Sequence, residues 1–184
     1  MRYSVSYQSP LGEMLLVASA DALVGLYFVG QKYFPRLDHR WQKNPDLAPL
    51  RQTISELDRY FSGERMRFTV PLGPFGTPFQ RAVWNAIASV EYGETITYGE
   101  LARRAGCAGN ARAAGAATGQ NPIGVIVPCH RIIGANGKLT GYAGGLDKKQ
   151  ALLALESGYR QHTLTIAEAP AEPRAWADAS ARNA

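Results

Sequence analysis

Seven consecutive residues, Val70-Pro71-Leu72-Gly73-Pro74-Phe75-Gly76, hold two prolines and two glycines. No regular element survives that density of fixed φ angles and missing backbone donors. The break separates two parts of the chain with different periodicities. Before it, residues 3–7, 13–18 and 22–28 alternate or run apolar with Val, Leu, Tyr and Phe. Turn signals at Ser9-Pro10-Leu11-Gly12 and at Asp21 separate them, so an antiparallel meander is expected. Over 46–61, Leu50, Ile54, Leu57 and Phe61 recur at spacings of four, three and four, with Gly63 just past the end, which predicts a helix. After the break, Thr77 is a candidate N-cap with Pro78 at the first helical position, and Phe79, Val83, Ala86, Ile87 and Val90 form an apolar stripe. The expected organisation is therefore α+β: an N-terminal α/β unit over 1–72, a helical unit over 73–160, and an Ala/Pro-rich irregular tail over 161–184.

At 184 residues and 46% hydrophobic, the chain has material for one ordinary domain or two small ones. No window approaches the roughly 20 consecutive apolar residues of a membrane span, and MRYSVSYQSP lacks the apolar core of a secretion signal, so a soluble cytoplasmic protein is expected. Only Cys107 and Cys129 carry thiols, with no C-x-x-C spacing, and His39, His130 and His162 stand far apart. A disulfide scaffold, a metal site and a cofactor cradle are all unexpected. Charge is uneven: residues 67–160 carry ten Lys and Arg against five Asp and Glu, and the whole excess of +5 sits there. A polyanionic partner for that half, or simply a solvated surface, accounts for it.

Within the helical half, Thr97-Tyr98-Gly99-Glu100 has the form of a capping box, opening a short helix that ends near Gly106. A turn through Asn110 leads to Ala111-Arg112-Ala113-Ala114-Gly115-Ala116-Ala117-Thr118-Gly119, a second short helix. The pair reads as a helix-turn-helix whose second member meets nucleic acid. Its residues Ala111, Ala113, Ala114, Gly115 and Thr118 are too short to read base edges. They permit close backbone approach to a narrow groove, and Arg112 is the lone long side chain. A tightly packed Ala/Gly core helix fits the same residues.

Chemistry concentrates in VIVPCHRIIG, residues 125–134, where apolar runs close around Pro128-Cys129-His130-Arg131. A free thiol with a pKa near 8.5 is a few per cent ionised at neutral pH, so a nucleophilic role requires help. About 3 to 4 kcal/mol of thiolate stabilisation from His130, Arg131 or a helix N-terminus would suffice. The alternative is that Cys129 is one more small buried apolar residue. Adjacent strand residues point to opposite faces, so the chain has to turn at Pro128 for Cys129 and His130 to cooperate. Asn121-Pro122 lies eight residues upstream, and an Asn side chain can lock a turn through backbone amides. Glu156 follows Leu152 and Leu153 on its own helical face, where a carboxylate needs a partner. His130 would make a Cys-His-Glu relay; Arg160 or Lys149 would make an ion pair instead.

These segments together resemble the O6-alkylguanine-DNA alkyltransferases, the methylated-DNA-protein-cysteine methyltransferase family. The resemblance is carried by Gly76-Thr77-Pro78-Phe79-Gln80-Arg81-Ala82-Val83-Trp84, Thr97-Tyr98-Gly99-Glu100-Leu101-Ala102, Asn121-Pro122, Pro128-Cys129-His130-Arg131, Gly141-Tyr142-Ala143-Gly144-Gly145 and Leu152-Leu153-Ala154-Leu155-Glu156. It spans about residues 76–158 in unbroken order, and the N-terminal part fits the family's smaller ribonuclease-H-like domain in outline. The resemblance implies a monomeric repair protein that binds double-stranded DNA through the minor groove and flips out the alkylated nucleotide. The alkyl group then passes from O6 of guanine, and from O4 of thymine, to Cys129. It assigns His130 and Glu156 to deprotonate Cys129 through a water, Asn121 to hold the turn, and Tyr98 to aid extrusion and protonate the departing base. Arg112 fills the vacated stack, Tyr142, Ala143, Gly144 and Gly145 form the substrate loop, and Arg131 gives structural or charge support. The thioether product resists displacement, so each molecule acts once.

Many relatives have Ser where Ala143 stands, which removes one hydroxyl near O6 and bears on rate and substrate range. Members that bind zinc do so with Cys and His in the N-terminal domain; this chain has no Cys there, so no zinc is expected. Two other classes share parts of the pattern: a Cys-His-Glu thiol hydrolase and a non-catalytic DNA-damage-binding protein.

Overall fold

The computed structural model describes residues 1–64 and 67–160, so the tail expected over 161–184 lies outside the described residues. The meander forms as strands β1 (Tyr3–Ser9), β2 (Gly12–Ala18) and β3 (Leu23–Phe28), paired antiparallel. A short strand β4 (Gln42–Lys43), which no sequence pattern announces, adds parallel to β1 and gives the order β3-β2-β1-β4. Strand β2 runs apolar rather than alternating because both of its faces are covered. Met14, Leu16 and Ala18 enter the main core, whereas Leu15 and Val17 join Val24, Tyr27, Phe34 and Trp41 in a second cluster on the opposite face.

Helix α1 (Ala48–Phe61) follows within two residues of its expected start, but its buried face is rotated. Leu50, Thr53, Glu56, Leu57 and Tyr60 are buried, while Ile54 and Phe61 of the expected stripe are only half-buried. Glu56 explains part of the rotation. Its carboxylate accepts from the Thr69 amide and hydroxyl and from the Val70 amide, fastening the segment that leads into the Pro/Gly break.

Helix α2 (Pro78–Ala88) starts at the Thr77 cap. The hydroxyl accepts from the Gln80 amide at 3.2 Å and the Gln80 side chain accepts from the Thr77 amide at 2.8 Å. Val83, Ala86 and Ile87 are buried as expected, but Phe79 is 40% exposed: it shares the side of Val83, yet lies a turn earlier at the helix start, where the core does not cover it. Trp84 takes its place in the packing, donating to the Ala117 carbonyl at 2.9 Å. A Cβ at Gly76 would lie 2.5 Å from that indole, so this position has room only for glycine.

Strand β5 (Ile96–Thr97) leads into helix α3 (Tyr98–Arg104), and helix α4 (Ala111–Gly119) follows the turn. Only half of the second capping box forms. Thr97 accepts from the Glu100 amide, but the Glu100 carboxylate turns outward to Arg103 and Arg104. Helix α5 (Leu146–Arg160) ends the described chain, and strand β6 (Ile132–Ile133) pairs parallel with β5.

The Pro/Gly break does not divide the interior. One apolar cluster contains Leu16 and Leu26 from the sheet, Leu57 and Tyr60 from α1, and Val83, Ile87, Leu101, Ile123 and Leu152 from the helical half. Backbone bonds cross as well: the edge of β3 is covered by Leu23 N–H to Pro71 O at 2.8 Å and Leu26 N–H to Pro122 O at 2.8 Å. The β3 edge of the sheet is thereby closed by the Pro/Gly break and by the segment that follows Asn121. Among the described residues no helix is long and apolar enough to cross a membrane.

Candidate active site

Asn121, at the end of α4, organises the turn that follows. Its side-chain oxygen accepts from the Ile123 amide at 3.0 Å. Its Nδ2 donates to the Val127 carbonyl at 2.8 Å and to Cys129 Sγ at 3.2 Å. The enclosed Val125 is fully buried with φ of +65°, a left-handed conformation that a β-branched residue avoids. Such strain persists where the surroundings over-determine the backbone, and here Asn121 and the Leu26 edge do so. Beyond Pro128 the chain makes a single 3-10 turn, Cys129–Arg131, which supplies the change of direction that a straight strand would have denied.

His130 and Glu156 come together across 26 residues: Nε2 lies 2.8 Å from Oε1, and both side chains are essentially without solvent contact. The carboxylate is saturated. Tyr60 donates to Oε1 at 2.7 Å, Arg131 donates to both oxygens at 2.8 and 2.9 Å, and the Gly93 amide donates to Oε2 at 3.2 Å. Burial alone would raise the Glu156 pKa, but the hydrogen bonds and charges of His130 and Arg131 prevail and hold it well below the usual carboxylate range. An ionised carboxylate only accepts, so Nε2 of His130 carries the proton and Nδ1 presents its lone pair. Nδ1 is buried and has no hydrogen-bonding partner among the described residues. Burial lowers the pKa of His130 against the opposing pull of Glu156, so the ring rests neutral and able to take a proton.

Two of the alternatives open in the sequence fall away here. Glu156 does not pair with Lys149; its partners are His130, Arg131 and Tyr60. Nor is Arg131 the cation that serves the thiol, because its guanidinium is spent on Glu156 and on the Val90 carbonyl at 2.6 Å. Lys149 is the cation whose charge acts on Cys129. Even so, the thiol is not held as an anion. Burial pushes Cys129 up, and Asn121, Lys149 and the nearby amides offset this only in part. The resting sulfur keeps its proton and must lose it during the reaction.

The remaining residues arrange around this centre. Tyr98 is half-buried and donates to the Thr140 and Gly141 carbonyls at 3.3 and 3.4 Å, with its phenol pKa pushed up by burial. The Tyr142 ring stands edge-on to His130 at 6.5 Å. Ala143 accepts from the Lys32 amide at 3.0 Å, and a Cβ at Gly144 would lie 3.1 Å from Phe28, so the N-terminal unit backs the loop of residues 142–145. Arg112 projects from α4, exposed and without a hydrogen bond or ion pair to any described residue. Of its neighbours, Ala111, Ala113 and Gly115 are partly exposed, and the Cβ position of Gly115 lies 3.5 Å from the Tyr98 ring. Ala114 and Thr118 are buried, and the Thr118 hydroxyl donates to the Ala114 carbonyl at 2.7 Å. Both were expected on the nucleic-acid face; they form the inner face of α4 instead, since residues four apart share one side of a helix. Ala116, not singled out by the sequence, is exposed on the outer face. Tyr60 is not singled out by the sequence either, and Lys149 is named there only as an ion-pair partner for Glu156. A lysine on the apolar side of the last helix, seven residues before Glu156, was the available signal for the second.

Two family models cover almost all of the described chain. "6-O-methylguanine DNA methyltransferase, ribonuclease-like domain" matches residues 1–74, and "6-O-methylguanine DNA methyltransferase, DNA binding domain" matches residues 78–158. A methylated-DNA–protein-cysteine methyltransferase from Mycolicibacterium paratuberculosis is 46% identical over 158 residues, covering 86% of this chain and 94% of the relative. One of the same description from Methanosarcina acetivorans is 46% identical over 154 residues, covering 84% and 97%. Among solved structures, Mycobacterium tuberculosis O6-methylguanine methyltransferase superposes with a TM-score of 0.79 at 44% identity, covering 86% of this chain and 94% of that one. An M. tuberculosis OGT solved in complex with DNA gives 0.77 at 42% identity, covering 85% and 92%.

Proposed function

The chain belongs to the 6-O-methylguanine DNA methyltransferase family, and from that membership we propose that Cys129 accepts an alkyl group from O6 of guanine, and from O4 of thymine, once per molecule. The protein is a methylated-DNA–protein-cysteine methyltransferase that repairs DNA by moving the alkyl group onto a cysteine. The observation that carries the assignment to Cys129 is the orientation of His130. With Nε2–H committed to Glu156, its Nδ1 lone pair is the base left in this buried turn.

The Cys129 proton passes through a bridging water to His130 Nδ1, and the thiolate attacks the alkyl carbon as the carbon–oxygen bond breaks. The electron pair leaves on the base, which takes a proton from the Tyr98 hydroxyl. Burial supports Tyr98 in this role, because it keeps the phenol protonated until the base needs the proton. In the substrate loop of Tyr142, Ala143, Gly144 and Gly145, the backbone amides of the first three stabilise charge on the leaving oxygen, while the Gly145 amide is committed to the Tyr142 carbonyl at 3.1 Å. The product is a thioether that neither water nor His130 can displace.

An O6 atom lies within the paired stack, so the lesion leaves the duplex before an in-line attack. We read α3 and α4 as a helix-turn-helix that lays the outer face of α4 (Ala111, Arg112, Ala113, Gly115 and Ala116) in the minor groove of double-stranded DNA, with Arg112 in the vacated stack. The protein works as a monomer. Residues 1–72 are read as a ribonuclease-H-like domain, consistent with β4 lying parallel to β1, and residues 73–160 as the transfer domain. Two free thiols suit the reducing cytoplasm.

Duplex DNA carrying labelled O6-methylguanine tests the reading. One label per protein on Cys129 is expected. Tight binding without transfer would make the protein a damage sensor, and sustained turnover of an acyl substrate would make it a hydrolase. Arg112→Ala should slow repair of the duplex by about tenfold or more, one or two lost contacts in a flipped state. Reaction with the free alkylated base should be unaffected. Equal losses on both substrates would remove Arg112 from extrusion.

A further inference from the structure

Lys149 is fully buried, yet no carboxylate among the described residues pairs with it. Its three donors go to three backbone carbonyls: Ile132 at 2.5 Å, Thr140 at 2.7 Å and Gly141 at 3.4 Å. Those acceptors lie on two different segments. Ile132 directly follows the 3-10 turn of Cys129, whereas Thr140 and Gly141 open the loop that continues into Tyr142 and Gly145. The Tyr98 hydroxyl donates to the same two loop carbonyls. One ammonium therefore links the nucleophile's turn, the substrate loop and the acceptors of the base-protonating phenol.

We propose that Lys149 is a positioning residue for alkyl transfer, whose ammonium ties the loop of residues 140–145 to the turn carrying Cys129 and whose deprotonation releases that loop. The inference rests on the reading of Cys129 as acceptor but makes a separate claim. A neutral side chain could bridge two carbonyls without the cost of burying a charge. What an ammonium adds is three donors at one point and a tie that can be undone by a single proton. A neutral amine keeps two N–H donors and gains a lone pair, so three carbonyls can no longer all be satisfied. The ionisable groups facing Lys149 are Cys129 and His130 on the 3-10 turn and Tyr98 on α3. None is an anion in the resting state. Burial accordingly lowers the pKa of Lys149 to about 8, and Cys129 opposes this only when its thiol ionises, so release falls within an accessible pH range.

The test compares wild type with Lys149→Met in single-turnover alkyl transfer from duplex O6-methylguanine between about pH 6.5 and about pH 9.5. Below pH 7 the variant should be slower by about a hundredfold, the loss that accompanies a 1 Å misplacement of reacting groups. The wild-type advantage should then shrink as pH rises past about 8, where the wild-type tie is itself undone. A rate ratio that is constant with pH, or equal rates throughout, overturns the proposal. Should wild type label no cysteine at all, it is the assignment of Cys129 that fails. A second measurement needs no variant and covers the case in which Lys149→Met does not fold. In wild type, the hydrogen-bonded amides of Gly134, Gly137 and Gly145 should lose protection by about tenfold between pH 7 and pH 9, beyond the intrinsic base-catalysed acceleration, while those of α2 do not. Unchanged protection of the three amides would also overturn it.

Discussion

Cys129→Ala should abolish alkyl transfer while leaving duplex binding within about twofold of wild type, inside the roughly 0.5 kcal/mol scatter of non-disruptive substitutions. Cys129 carries the thiol of this site, and no second thiolate stands beside it to take its place. The fold has little reason to change. Cys129 is 6% exposed and adjoins a turn already fixed by Asn121, whose Nδ2 keeps its bond to Val127 at 2.8 Å when the sulfur is gone. The loss of one buried sulfur is worth about 1 kcal/mol, against a total of about 5–15 for an ordinary domain. Labelled lesion DNA and mass spectrometry of the peptide provide the measurement. Label that persists, carried by the half-buried Cys107 between α3 and α4, would reassign the acceptor. Loss of DNA binding along with transfer would mean that the thiol supports the structure as well as the chemistry.

Glu156→Ala should be the most destabilising single substitution in the site and should also slow transfer by about 10²- to 10⁴-fold. The alanine leaves Arg131 a buried cation without its bidentate partner, and it strands the donors of Tyr60, His130 and Gly93. Breaking a buried pair in this way costs about 3–5 kcal/mol. Glu156→Gln is no refuge, because both carboxylate oxygens accept, and either orientation of the amide turns its NH₂ against existing donors. The kinetic loss has a separate cause: without the carboxylate, His130 is no longer held with Nδ1 as the acceptor. Chemical denaturation resolves the first effect and single-turnover kinetics the second. A variant as stable as wild type, or one that transfers at the wild-type rate, would end this account of Glu156.

Stability should follow pH through the same residue. The folded-state pKa of Glu156 is depressed, so its contribution is complete above the unfolded carboxylate value of about 4.3 and is lost as pH falls toward the much lower folded value. The stability gap between wild type and Glu156→Gln should thus be widest near neutrality and narrow progressively as pH falls below about 4. A gap that widened on acidification would assign the opposite sign.

Relations between near neighbours are legible in the sequence. Strand positions follow from apolar runs bounded by turn residues, helix starts from Thr77 and Thr97, and the locked turn from Asn121, whose bonds reach residues within eight of it. Each of these is a relation between near neighbours, which the backbone geometry of a few residues fixes. Which polar groups meet is a matter of packing between distant segments. Tyr60 reaches Glu156 across 96 residues and His130 reaches it across 26, and periodicity carries no information at such separations. Helical spacing groups Ala114 with Thr118, and Lys149 with Glu156, but it does not say which side of a helix faces the interior. Packing answers that, and it turned Ala114 and Thr118 inward, left Phe79 uncovered, and turned a lysine into the centre of the site. The protonation of Cys129 is decided at the same level, because a pKa depends on burial and on charges that only the folded chain brings within reach.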